Sequence, residues 1–225
     1  MRKALLFSIE GKRSMSRRLA FVYLLLSVLC FCCSTGQEET EIRWVTMEDI
    51  ISSLENQQPM RVGFDVDDTT LFSSPGYYYG QQKYSPGSNN YLEMEEFWNE
   101  MNNGLDEFSL PKECARRLIE FHKNRGDAIY FITARWKTET ETVTELLAKI
   151  FNLDDINDVI FTNLKSKAIL ANNIQIFYGD SDGDIRAAIE AGIRGVRIMR
   201  AGNSTHRPYP EYGSLGEEVL VDSGF

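Results

Sequence analysis

Cysteine is scarce in this sequence: of four in 225 residues, Cys30, Cys32 and Cys33 crowd together near the start and only Cys114 lies beyond them. A single cysteine makes no internal disulfide, so a disulfide-stapled scaffold is excluded for the body of the chain. Cys114 itself falls in the helical pattern "PKECARRLIEFHKNRG" and reads as a small core-facing residue. Long apolar runs are also missing. The longest, Leu19 to Cys33, has 15 residues, short of the roughly 20 that span a bilayer. Basic charge is in deficit, at 24 Lys and Arg against 33 Asp and Glu. There is no internal repeat, and no linker after Gly36 sets off a second full domain.

What is present describes an ordinary globular chain, with 43% hydrophobic and 25% charged residues. Residues 1–36 stand apart. Arg2, Lys3, Lys12, Arg13, Arg17 and Arg18 precede the apolar run, and "STG" follows it before the acidic "QEETE". This is the three-part layout of a secretory signal cleaved after Gly36, which implies an exported protein. A retained anchor, or lipid attachment at Cys32 or Cys33, is the alternative, although the residues before these cysteines do not form the usual small-residue lipobox. Without residues 1–36 the chain loses those six basic residues and Glu10, leaving a formal charge of about −14. So acidic a surface argues against a nucleic-acid polymer as partner, because that affinity comes from Lys and Arg neutralising phosphates.

From Ile42 to Gln57 the pattern predicts one or two short amphipathic helices, and "MRVGFDV" then predicts a buried strand. The stretch "SSPGYYYGQQKYSPGSNNY" has no period and reads as a long loop. "LEMEEFWNEMNNG" resumes helical spacing up to Gly104. Thereafter helices and strands alternate: "PKECARRLIEFHKNRG" is a helix with Pro111 in its first turn and Gly126 after its end, "AIYFITA" a strand, and "TETETVTELLAKIF" a helix. "DVIFTN", "IQIFYGD" and "RGVRIMRA" are further strands, separated by the helices "KSKAILANN" and "DIRAAIEAG". This rhythm predicts an α/β fold, a Rossmann-like parallel sheet with helices on both faces over residues 37–225, with 73–110 inserted between the first two strands.

Ligands of open parallel sheets bind beyond the carboxyl ends of the strands. Those ends carry Asp65 and Asp67, then Thr133 and Arg135, then Asn163 to Lys165, then Asp180, Asp182 and Asp184. Acidic clusters brought to one edge repel unless a cation sits between them, and magnesium suits such oxygen donors while keeping waters that a phosphorylated substrate can displace. An aspartate in such a site can also attack phosphorus, and a second acid two residues on returns to the same face of an extended chain to move the protons. Asp65 and Asp67 have that spacing. Thr133 and nearby N–H groups can hydrogen-bond phosphoryl oxygens, and Lys165 can neutralise both nucleophile and phosphoryl group.

"DVDDT" after one strand, Thr133 after a second, a lysine opening a later helix and "GDSDGD" after a further strand resemble the four motifs of the haloacid dehalogenase (HAD) superfamily phosphatases. Within it, "FDVDDTTLFSSPGYYYG", "FWNEMNNGLDEFSLPKE", "RGDAIYFITAR", "IFYGDSDGDI" and "RAGNSTHRPYP" resemble the class B nonspecific acid phosphatases of bacteria, from about Trp44 to the end. The resemblance implies a nucleophile and metal ligand at Asp65, a general acid/base at Asp67 whose carbonyl also binds magnesium, and a phosphoryl-holding Thr133. It makes Lys165 the motif lysine, favoured over Lys167 because the chain is shorter than its relatives just before it. Asp180 becomes a direct ligand of one magnesium ion per subunit, and Asp184 supports that ion through water. Tyr77, Leu92 and Trp98 fall at positions that line a pocket for nucleoside or aryl leaving groups. A periplasmic homotetramer with a broad range of small phosphomonoester substrates is the corresponding expectation, with transfer of phosphate to alcohols as a side reaction.

Besides the shortening before Lys165, two departures from the family stand out. Ala134 replaces the glycine of Thr-Gly-Arg beside the phosphate, and His206 replaces an aromatic tyrosine near the substrate. A narrower 5′-nucleotidase or class C-like enzyme, or a secreted binding protein that keeps the fold without turnover, are the competing readings; both Asp65 and Asp67 are present, which favours turnover. "DSDGDI" is not a calcium loop, since Ile185 stands where glycine is needed and Ala191 where glutamate is. "NST" at Asn203 reads as a chance triplet and His122 as a satisfied structural histidine. Asp68 is expected to fix its turn, and Asp182 to shape its own or support the metal site from a distance.

Overall fold

The structure is a computed structural model that describes residues 41–225. Residues 1–36, expected from sequence to be a secretory signal, lie outside the described residues. Among them, no helix is long and apolar enough to cross a membrane.

The central strands are β2 (Arg61–Phe64), β5 (Ala128–Thr133), β6 (Ile160–Phe161), β7 (Ile176–Gly179) and β8 (Arg194–Arg197). Two short strands, β1 (Arg43–Val45) and β9 (Glu218–Leu220), complete one parallel seven-stranded sheet ordered β1-β9-β8-β7-β2-β5-β6. The order reverses at β2, whose two neighbours are β7 and β5, and a crevice opens there between the loops that leave to either side.

Side chains alternate across this sheet. Val62, Phe64, Phe131, Ile176 and Tyr178 pack with α1 (Met47–Leu54), α4 (Glu113–Arg125) and α5 (Val143–Phe151). Ile132, Ile174 and Phe177 pack with α6 (Lys165–Ala171) and α7 (Asp182–Glu190) in a separate apolar cluster. Both faces are therefore covered, as the unbroken apolar strands predicted.

Residues 73–110 hold α2 (Ser74–Tyr84), α3 (Glu95–Asn103) and two 3₁₀ turns, Asn90–Glu93 and Leu105–Phe108. They form a third apolar cluster around Tyr77, Tyr91, Phe97, Trp98 and Met101. The segment is anchored by a ribbon of β3 (Leu71–Phe72) against β4 (Leu110–Pro111).

Several expectations need correction. The expected loop after Phe72 is in large part the helix α2. Its glycines serve close packing: a Cβ on Gly80 would lie 2.2 Å from the Phe97 ring. Pro111 lies in β4, one residue before the Lys112 cap, and α4 starts at Glu113. The helix expected from Thr138 begins only at Val143. The segment from Ile42 is first an edge strand; the Thr46–Asp49 capping box then starts α1. His122 is buried and satisfied as expected, between Asp127 (Nδ1 to Oδ2, 2.7 Å) and the Tyr178 hydroxyl (2.9 Å).

Candidate active site

Strand β2 delivers Asp65, whose N–H is still bound to the Tyr178 carbonyl of β7 at 2.9 Å. The chain then turns sharply. Thr70 Oγ1 donates back to the carbonyls of Asp65 and Val66, and Asp68 takes the left-handed conformation (φ 56°), which a short polar side chain tolerates. Asp68 accepts from Ser204 Oγ and meets His206 Nδ1 at 2.8 Å, so it holds the late 204–206 segment against the β2 turn.

Asp65, Asp180 and Asp184 converge, with one carboxylate oxygen from each lying within 4.8 Å of the others; among the described residues this is the group suited to a metal ion. Every donor is a carboxylate oxygen, the hard ligand type that fits a divalent cation of the magnesium or calcium kind. Their positions are braced from outside. Thr69 Oγ1 donates to Asp180 Oδ1 at 3.2 Å, and Arg200 pairs with Asp180 Oδ2. Asp184 caps α7 through Ser181 and passes so close to β7 that a Cβ on Gly179 would lie 2.2 Å from its own Cβ; only glycine fits there. Lys165 Nζ donates to Asp65 at 2.5 Å and to Asp184 at 2.6 Å. Lys167 is exposed on the same helix, so Lys165 is the lysine the fold brings to the acids.

The two acids of the "DVD" motif occupy opposite environments. Burial, together with the carboxylates of Asp184, Asp180 and Asp67, pushes Asp65 well above the ordinary carboxylate range, with Lys165 opposing. Burial raises Asp67 too, but the Arg135 guanidinium and the Ser73 hydroxyl outweigh it and hold Asp67 well below that range. Arg135 grips Asp67 with Nε (2.9 Å) and Nη2 (2.6 Å), and reaches Asp106 with Nη1 at 2.5 Å. Burial disfavours charge on Lys165, yet Asp184 and Asp65 raise it above its normal value, so it stays an ammonium.

These groups border a cavity of about 350 Å³. Its floor is Asp65, Asp67, Lys165, Asp180 and Asp184; its walls include Tyr77, Leu92, Trp98, Ala134 and His206. The expected site residues thus come together. Thr133 is the exception in placement: it lies buried behind the floor, its Oγ1 3.4 Å from Asp67 Oδ2 and accepting from the Arg135 N–H at 3.3 Å. Asp182 stands off the metal cluster, paired with the buried Arg197 at 2.8 Å; Arg197 also donates to the Asp180 carbonyl at 3.1 Å and to Glu217.

Sequence reasoning missed Arg200, Trp136, Ser73 and Asp106. Arg200 leaves β8 in the direction of the site, and its place beyond a strand's carboxyl end was the available signal. Ser73 and Asp106 act only as through-space partners of Asp67 and Arg135, and no local pattern marks them.

The HAD superfamily, subfamily IIIB (acid phosphatase) model matches residues 35–208. The chain is 52% identical over 196 residues to the class B acid phosphatase of Salmonella arizonae, covering 84% of this chain and 83% of that one. At the same coverage it is 51% identical to the class B acid phosphatase of Klebsiella pneumoniae and 48% identical to that of Haemophilus parainfluenzae. The fold is similar to that of a crystal structure described as a predicted phosphoglycolate phosphatase from Haemophilus somnus, with a TM-score of 0.50 and 13% identity over 75% of this chain and 96% of the other. A family match that runs through β2, β5, β6, β7 and β8, whose ends carry the site, with half the residues shared across most of the length, places the chain in subfamily IIIB of the HAD superfamily, the class B acid phosphatases, and makes it a phosphomonoesterase.

Proposed function

We propose that the protein hydrolyses a broad range of small phosphomonoesters, including nucleoside monophosphates and aryl phosphates, through a phosphorylated Asp65, with magnesium as cofactor. The observation that carries this reading is the pairing of Asp65 with Lys165 in one buried contact, beside an Asp67 held in a different environment.

Asp65 is the attacking carboxylate. Lys165 screens it from the approaching phosphoryl group, since two anions otherwise repel at that distance. The Ala134 N–H takes a phosphoryl oxygen at the end of β5, and the Thr133 hydroxyl joins it by turning from its place behind the floor toward the cavity. As the ester bond breaks, Asp67 gives a proton to the leaving oxygen; it later takes one from the water that hydrolyses the aspartyl phosphate. An alcohol can replace that water, which gives phosphotransfer. Asp65, Asp180 and Asp184, with the Asp67 carbonyl, would hold magnesium, which when bound offsets charge on the phosphoryl oxygens. Tyr77, Leu92, Trp98 and His206 accept the leaving group by shape and stacking, without reading ring edges, which supports breadth. Residues 73–110 would then be the substrate-pocket insertion. Export to a bacterial periplasm and assembly as a homotetramer complete the proposal, on the strength of the signal layout and the family.

The test is Asp65→Asn against p-nitrophenyl phosphate, with beryllium fluoride trapping of the parent enzyme for structure determination. Activity is expected to vanish in the variant and on chelation, to return with magnesium in the parent, and the fluoride adduct to sit on Asp65. Full turnover by Asp65→Asn would refute the covalent route. A substrate panel confined to nucleotides would favour the narrower 5′-nucleotidase.

A further inference from the structure

Asp67 has more hydrogen-bond donors than a proton-transferring carboxylate can keep. Oδ1 accepts from Arg135 Nη2 and from Ser73 Oγ, both at 2.6 Å. Oδ2 accepts from Arg135 Nε at 2.9 Å, from the Tyr77 hydroxyl at 3.1 Å and from Thr133 Oγ1 at 3.4 Å. Five donors fill the roughly four acceptor positions of an ionised carboxylate. To protonate a leaving oxygen, one Asp67 oxygen must first carry a proton and face that oxygen, so a donor must withdraw or turn into an acceptor.

The partners differ in their capacity for this. Arg135 has no acceptor atom and cannot reverse. Ser73 is fully buried and its bond is short, which ties Oδ1. Oδ2 carries the longer bonds and is the oxygen free to serve the substrate. Thr133 is behind the floor, whereas Tyr77 stands on the cavity wall, its ring against Trp98 on one side and His206 on the other (centroids 6.1 and 4.4 Å). A phenol hydroxyl can donate to an ionised carboxylate or accept from a protonated one by rotating about its C–O bond.

We infer that Tyr77 is a positioning residue for proton transfer as well as a wall of the leaving-group pocket. Once Asp67 Oδ2 has taken a proton from solvent in the cavity, the Tyr77 oxygen turns to accept that proton's hydrogen bond and keeps Oδ2 turned to the cavity. When the leaving group packs against the Tyr77 ring, Oδ2 exchanges this partner for the leaving oxygen. The Asp65–phosphorus bond forms, the ester bond breaks, and the proton passes from Oδ2 to the leaving oxygen. Tyr77 keeps its own proton and rotates to donate to the newly ionised Asp67, the arrangement seen in the structure. Seating of the leaving group and alignment of its proton donor are thus one event.

This rests on the phosphatase mechanism above, and the experiment separates the two. Tyr77→Phe keeps the ring and removes only the hydroxyl. The measurement is kcat/KM, which includes departure of the leaving group, for p-nitrophenyl phosphate, phenyl phosphate and β-glycerol phosphate in parent and variant. The loss caused by the substitution is expected to grow by about tenfold from p-nitrophenyl phosphate, whose leaving oxygen needs little protonation, to phenyl phosphate and further to the alkyl ester. A loss equal across the series to within about threefold, whether large or absent, would overturn the inference and leave Tyr77 as packing alone. A parent inactive on all three esters would overturn the phosphatase mechanism, and the role of Tyr77 with it.

Discussion

Replacing Arg135 with methionine tests the electrostatic design of the site. The guanidinium is buried, with 2% of its surface exposed, and makes four hydrogen bonds to two carboxylates, Asp67 and Asp106, that are themselves largely buried. Methionine retains much of the volume but leaves both acids without their countercharge. Breaking a buried ion pair by removing one partner costs about 3–5 kcal/mol, because the remaining charge stays desolvated. For a domain of this size each kcal/mol moves the melting temperature by about 2–4 °C, so Arg135→Met should melt roughly 6–20 °C lower by circular dichroism. Adding Asp106→Asn removes one of the stranded charges, and the double variant should recover part of the loss, giving a coupling of about 1–3 kcal/mol between the sites. A melting temperature within about 2 °C of the parent, or losses that simply add, would refute the claim that this triad is held by its mutual charge.

Other consequences are as direct. Lys165→Ala should lower kcat by about 10²–10³-fold while Lys167→Ala stays within about twofold, and the reverse order by steady-state assay would move the motif lysine. Gly80→Ala should destabilise by about 1–3 kcal/mol, read in urea unfolding, because its Cβ has no room beside Phe97; an unchanged midpoint would show that α2 and α3 can separate freely. For His122, burial lowers the pKa below its usual 6.5 despite the opposing bond to Asp127, so the folded protein resists a proton that the unfolded chain accepts. Its stabilisation is complete above about pH 6.5 and falls away as pH drops below that value toward the folded pKa. His122→Gln should therefore flatten the decline in melting temperature between pH 7 and 5, and parallel curves for parent and variant would contradict this.

The central strands were legible because each is a local signal, a short apolar run, and at β2 and β7 the acids follow directly at the carboxyl end. Tertiary contacts hid the rest. Gly76 and Gly80 look like loop residues until α3 is packed against them. The three-residue strands β1 and β9 are too short for a pattern and exist by pairing with each other across the chain, Trp44 opposite Val219. In the site, the motif acids could be named in sequence, but the separation of Asp65 from Asp67 in charge behaviour comes from burial with Asp184 and Asp180 at the one and from Arg135 and Ser73 at the other, groups that other segments bring in. Lys165 could be preferred over Lys167 by likeness, whereas its burial between Asp65 and Asp184 is a matter of helix orientation.

Arg197 ties the end of the chain to the acids of the site. The strand end that carries Asp180 is complete by residue 180, but the guanidinium that holds the Asp180 carbonyl has Glu217 as its buried countercharge. Thr69 and Arg200 brace the Asp180 carboxylate, whereas Arg197 holds its backbone carbonyl and is itself held by Glu217, just ahead of β9. The carboxyl-terminal stretch therefore supports the acids of the site from outside the cavity: loss of the Glu217 carboxylate would strand the Arg197 cation and unsettle its hold on the Asp180 carbonyl together.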